Sequence, residues 1–106
     1  MNSELIVELM LDGQLVHKTT NQFWVGFHQL PNPIKKVCHK RLRLLYANPA
    51  HPSLEFKRLH KFREDIWSVR VTSTTPGYRA MAKRVSPGVY LWYWIGTHNA
   101  YDRLLK

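Results

Sequence analysis

The sequence predicts an α+β fold, with an N-terminal αα-hairpin packed on one face of an antiparallel β-sheet meander. Three observations carry that expectation. Apolar residues between positions 20 and 47 recur at helical spacing, interrupted by Pro31-Asn32-Pro33. After His51-Pro52 the period changes from helical to alternating. The alternating runs are joined by short turns, Thr75-Pro76-Gly77 and Ser86-Pro87-Gly88, which suit consecutive antiparallel strands.

The elements follow in order. Residues 4–10, ELIVELM, read as a strand or a first helical turn, and Asp12-Gly13 marks a turn after them. Leu15 to Lys18 forms a short strand that leads into Thr19-Thr20-Asn21, any of which can cap a helix. Phe23, Phe27 and Leu30 are spaced for one face of that helix, with Trp24 beside them. Pro31-Asn32-Pro33 then breaks it and starts a second helix over Pro33–Ala47, with Asn32 as its cap. Ile34, Val37, Cys38, Leu42 and Leu45 make its apolar stripe, while Lys35, Lys36, His39, Lys40 and Arg43 fall mostly opposite. Leu54 and Phe56 alternate with Glu55 and Lys57. Trp67, Val69 and Val71 alternate with Ser68, Arg70 and Thr72, and Tyr78, Ala80 and Ala82 with Arg79, Met81 and Lys83. Val89–Ile95 is the last strand. It stops at Gly96 and presents Thr97, His98 and Asn99, before a short amphipathic helical tail carrying Tyr101, Asp102 and Arg103.

Composition narrows the function classes. A chain of 106 residues, 44% hydrophobic, is expected to fold as a single domain over 1–106. Its apolar runs are too short to span a bilayer, and its N-terminus lacks the pattern of a signal peptide. One cysteine, Cys38, excludes an intrachain disulfide and fits a reducing cytoplasm. The net charge is +9, and it is unevenly placed. Residues 1–17 hold three acids and no Lys or Arg, so the rest carries all 16 bases against four acids, a net +12. That is the footprint of a nucleic-acid binder, although a basic surface also serves solubility or an acidic protein partner.

No C-x-x-C or H-x-x-x-H spacing favours a metal, and no glycine-rich phosphate loop or G-x-S-x-G turn favours a nucleotide cofactor or a serine nucleophile. Strand parity instead gathers a different set. If Trp67, Val69 and Val71 face the helices, then Arg70, with Glu55, Lys57 and Arg79, lies on the sheet's solvent side, and His98 stands at the end of the last strand. Cations that stabilise a phosphorane, beside a residue that titrates near neutrality, are the equipment of metal-independent RNA cleavage. Arg58, Lys83 and Lys40 are further candidate phosphate contacts.

The ordered segments Phe23-Trp24, Leu30-Pro31, NPAHPSLEFKRL (48–59), WSVRV (67–71), YRAM (78–81) and WIGTHNAYDRLL (94–105) resemble the RelE/ParE superfamily of type II toxin–antitoxin toxins, a RelE-like subgroup in particular. The resemblance covers about residues 17 to 106 and leaves 1–13 as an N-terminal extension. It implies a cognate antitoxin and metal-independent, ribosome-dependent cleavage of mRNA in the cytoplasm, with no cofactor. By position it makes Lys57, Arg70 and Arg79 the sheet cations and His98, with Tyr101, the catalytic end. The loop 72–77 departs from the pattern in length, and no residue matches a defined general base, with Glu55 and His60 both open. The superfamily also implies alternatives: a ParE-like inhibitor of DNA gyrase that is not an enzyme, or an inactive relative that only forms the antitoxin complex.

Overall fold

In a computed structural model, described over residues 15–73 and 76–106, five strands and three helices follow the order β1 (Val16–Thr19), α1 (Asn21–His28), α2 (Asn32–Ala47), β2 (Lys57–Arg58), β3 (Ile66–Thr72), β4 (Tyr78–Ser86), β5 (Val89–Thr97) and α3 (His98–Leu105). The expectations for residues 4–10 and for the turn at Asp12-Gly13 lie outside the described residues.

The strands form one sheet in the order β1-β5-β4-β3-β2. Strands β2 to β5 are the antiparallel meander the turns anticipated. β1 departs from it by pairing parallel to β5, Val16 opposite Val89 and Thr19 opposite Trp92. The reason is the crossover. The helical hairpin follows β1 and carries the chain over one sheet face to the far edge, so the meander returns to β1 only with its last strand.

Local chemistry sets the helices. The Thr20 hydroxyl accepts from the Phe23 amide at 3.1 Å and caps α1, and Phe23 and Phe27 form its buried face. α2 starts one residue earlier than expected. Pro31 holds the cap position and Asn32 is already helical, so no side chain caps this end. A Cβ on Gly26 would lie 3.0 Å from the Ile95 carbonyl oxygen, so glycine is what lets α1 approach β5 closely.

Packing divides the sheet into two faces. On the first, Phe23, Phe27, Leu30 and Leu45 bury Val69, Val71, Ala80, Ala82, Trp92 and Ile95. On the second, α3 lays Tyr101 and Leu105 over a smaller cluster with Ile66, Met81, Leu59 and Trp94. A bulge in the β4–β5 ladder, where Met81 pairs with Trp94 and Ala82 with Trp92, leaves Tyr93 as the extra residue. It sends Trp92 and Trp94 to opposite faces, which simple alternation would not do.

The run from Leu54 to Lys57 is not a strand. Pro52–Leu54 is a single 3-10 turn, Glu55 follows in the left-handed region at φ 45° and ψ 45°, and pairing begins only at Lys57. Leu54 and Phe56 still reach the core, but a turn rather than a pleat takes them there.

His17 on β1 is 2% exposed, and its Nδ1 accepts from Trp92 Nε1 at 2.9 Å. Burial lowers its pKa from 6.5 to about 4, so the folded chain holds it neutral while the unfolded chain protonates it. The unfolded state therefore binds more protons below pH 6.5, and stability falls as the pH drops from there toward 4. Between pH 7 and pH 5 the loss from this residue is about 2 kcal/mol. Urea denaturation across that range should show it, and His17→Gln should flatten it; an equally steep dependence in the variant would show that His17 is not its source.

Candidate functional site

A cleft of about 470 Å³ opens on the second face beside α3, lined by Glu55, Arg70, Thr72, Ser73, Pro76, Gly77, Arg79, His98 and Asn99. Three parts of the chain build it. Pairing of β3 with β4 sets Arg70 directly opposite Arg79, so two guanidiniums share one end of the sheet. The left-handed turn after Pro52–Leu54 brings Glu55 between them. The junction of β5 and α3 supplies His98.

The two arginines differ in setting. Arg70 is partly exposed and pairs with Glu55 Oε2. Arg79 is only 4% exposed and is surrounded by partners: Glu55 Oε1 at 3.2 Å, the Glu55 carbonyl at 3.4 Å and Ser68 Oγ at 3.2 Å. Its guanidinium carbon lies 4.9 Å from the centre of the Tyr101 ring, a cation–π contact. Strand parity predicts Arg79 on the solvent side. It does lie on the second face, but α3 lays Tyr101 over it and buries it. Burial pushes the Glu55 pKa up, yet hydrogen bonds and charge from Arg79 and Arg70 outweigh this and hold it below the ordinary carboxylate value.

His98 is the first residue of α3. The Thr97 hydroxyl caps this helix by accepting from the Ala100 amide at 3.2 Å, and the His98 amide donates to the Gly77 carbonyl at 2.8 Å. The imidazole is half exposed, and its Nε2 stands 3.5 Å from Asp102 Oδ2 one turn on. Tyr101 lies behind it, buried, with ring centres 5.7 Å apart, and its hydroxyl donates to Ser68 Oγ at 3.2 Å.

Of the sequence-derived site residues, Arg70, Arg79, His98 and Tyr101 therefore meet at one place. The other cations do not. Lys57 is exposed on β2 at the sheet edge, in register with Ser68, and Arg58 beside it is paired to Asp65 at 3.3 Å. Lys83 is four residues beyond Arg79 on β4, about 13 Å at the usual strand rise. Lys40 is exposed on α2, which packs on the opposite sheet face. His60 is exposed beyond β2 and does not line the cleft. Sequence reasoning missed Ser68, the hydroxyl that joins Arg79 to Tyr101. Its only signal is a small polar residue amid the apolar run Trp67-Ser68-Val69. Asp102 lies in the predicted tail, but its approach to His98 follows only from the i, i+4 spacing once the helix is granted.

Elsewhere, an apolar hollow of about 90 Å³ lies between the helical hairpin and the sheet, with Cys38 in its wall. Burial pushes the Cys38 thiol up to about 11, which keeps it protonated and a poor nucleophile. Among the described residues, no three His, Cys, Asp or Glu side chains gather as a metal site would need. None of their helices is long and apolar enough to cross a membrane.

The architecture is that of small α+β domains in which a helical hairpin covers one sheet face and a C-terminal helix part of the other. More particularly, the fold is RelE-like. It superposes on the E. coli toxin RelE, solved in the free state as a variant with two arginines changed to alanine, with a TM-score of 0.60. The match covers 84% of this chain and 88% of that chain at 13% identity, so the likeness is one of fold. No protein-family model and no curated protein sequence matches the chain.

The Tyr101 hydroxyl joins α3 to β3 through a buried contact. Tyr101→Phe should lower the unfolding free energy by about 1 kcal/mol, the net worth of one such hydrogen bond, in urea denaturation. No measurable change would mean that the contact contributes nothing.

Proposed function

We propose that the chain is the toxin of a type II toxin–antitoxin pair and acts as a metal-independent, ribosome-dependent mRNA endonuclease. The observation that carries this reading is the meeting of Arg70, Arg79 and His98 in one cleft of a strongly basic chain. The RelE-like fold supports it, because the superposed protein is named a toxin. The ordered motifs from Phe23-Trp24 to the C-terminal tail point the same way.

The chemistry assigned to the cleft is transfer of an RNA phosphoryl group to its own 2′-oxygen. The 2′-hydroxyl loses its proton and its oxygen bonds to phosphorus, while the bond from phosphorus to the 5′-oxygen breaks and that oxygen gains a proton. Arg70 and Arg79 would hold the negative charge that builds on the non-bridging oxygens. His98 would carry one of the two protons, with Asp102 steadying its imidazolium. Glu55 is a poor proton acceptor while both of its oxygens are held by arginines. Tyr101 acts as a positioning residue, fixing Arg79 from above. Lys57 and Arg58, at the sheet edge, would track the RNA backbone, with Lys83 and Lys40 contributing only to the wider basic field.

The same reading brings an antitoxin whose acidic, apolar segment covers the basic cleft, a ribosome presenting mRNA, and a cytoplasmic location, with no cofactor. The domain is taken to run over 1–106, with 1–13 as an extension.

Loss of a positioned acid or base costs ~10²–10⁴ in rate. On induction in cells, His98→Ala should therefore relieve growth arrest while antitoxin binding is retained, and wild type should cut mRNA on the ribosome. Arrest by the variant as strong as that of wild type would remove His98 from the mechanism. Arrest by wild type with intact message and an SOS response would replace cleavage by gyrase inhibition.

A further inference from the structure

The two arginines of the cleft already hold an anion, and it belongs to the chain. Glu55 offers Oε2 to Arg70 and Oε1 to Arg79, and its carbonyl accepts from Arg79 as well. A phosphate presents oxygens to a pair of guanidiniums in much the same way.

Three features separate this bridge from a plain structural brace. The Glu55 side chain is 37% exposed at the cleft wall, so it is open to exchange with solvent or ligand. Glu55 is the one non-glycine residue with positive φ among the described residues, a backbone conformation that persists only where its surroundings impose it. Arg79, although 4% exposed, has a buried Nε–H with no hydrogen-bond partner, so the carboxylate does not satisfy the guanidinium.

We propose that Glu55 is a built-in competitor for the substrate phosphate: its carboxylate fills the Arg70–Arg79 anion site in the free chain, and RNA engages that site only by displacing it. This rests on the reading of the cleft as the phosphate site. The exchange is balanced in charge, since one carboxylate leaves and one phosphodiester anion enters, and no covalent bond changes. A free phosphate has to compete with an anion tethered in place. An RNA phosphate delivered with additional contacts has binding energy to spend on the displacement. The site therefore discriminates against stray anions in favour of a substrate presented in full.

The test is titration of inorganic phosphate at fixed ionic strength into the full-length chain, followed through the arginine Nε–H resonances of ¹⁵N-labelled protein. Wild type, Glu55→Gln, Glu55→Asp and the double variant Glu55→Gln/Arg70→Ala are compared, with thermal melts establishing that each is folded. Removing the competing charge should tighten phosphate binding about tenfold in Glu55→Gln, the equivalent of one charge-assisted contact. Glu55→Asp, whose carboxylate is drawn back by one methylene, should gain less, and the double variant should lose the gain. Binding by folded Glu55→Gln no tighter than wild type would overturn the proposal. So would a gain that persists without Arg70, or, if Glu55→Gln does not fold, an unchanged affinity in Glu55→Asp. Phosphate binding is read here without RNA cleavage, so it stands or falls separately from the growth-arrest result for His98→Ala.

Discussion

The Glu55 carboxylate, set between Arg70 and Arg79, is the contact on which the geometry of the second sheet face turns. Strand pairing places the two arginines directly opposite each other. Like charges directly opposite across a ladder are destabilising, so this register needs a counter-charge. That charge comes from outside the hairpin, from a residue 15 positions before Arg70 and 24 before Arg79. The same contact ties the turn after α2 to the middle of the sheet. The short β2 then starts two residues later and pairs with β3 at Lys57 and Arg58.

The two faces divide the work of the fold. The first is covered by α1 and α2, where large aromatic and aliphatic side chains meet the small Ala80 and Ala82. Burial of that surface is the main driving force for folding. The second face is covered only in part, by one amphipathic helix of eight residues. Tyr101 makes that cover chemical as well as apolar, because its ring lies over Arg79 and its hydroxyl reaches Ser68. The cleft is the uncovered remainder, bounded by the start of α3 on one side and the Glu55 turn on the other.

What could be read from the chain was what depends on near neighbours. The spacing of Phe23, Phe27 and Leu30, the break at Pro31 and Pro33, and the alternation of Trp67, Val69 and Val71 each report local geometry, and the corresponding elements are present. Alternation also put Arg70 and Arg79 on the same face as His98's end of the sheet. What could not be read depends on partners distant in sequence. β1 pairs parallel to a strand more than 70 residues away. The left-handed turn at Glu55 interrupts a pattern that reads as a strand. The bulge at Tyr93 reverses the parity of Trp94. Arg79 is polar by composition and buried by α3, an element whose docking no periodicity reveals. Lys40 and Lys83 look equivalent to the site cations in a count of charge, but the fold sets one on the other face and the other far along β4.

The burial of Arg79 bears on what the cleft can do. A guanidinium in water is hydrated and mobile, so it must be desolvated and ordered before it can stabilise a developing charge. In Arg79 both steps are completed by folding: Ser68 and the Tyr101 ring fix its orientation, and α3 excludes water from above. A preset cation in a low dielectric is worth more to a transition state than a flexible surface lysine. The cost falls on the free chain, which would otherwise hold a buried charge without a partner. Glu55 meets that cost only in part, being itself partly exposed and leaving Arg79 Nε unpaired. On the proposed reading, that incomplete neutralisation is what leaves the site receptive: strong enough a counter-charge to let Arg79 stay buried, and weak enough to yield to a phosphate.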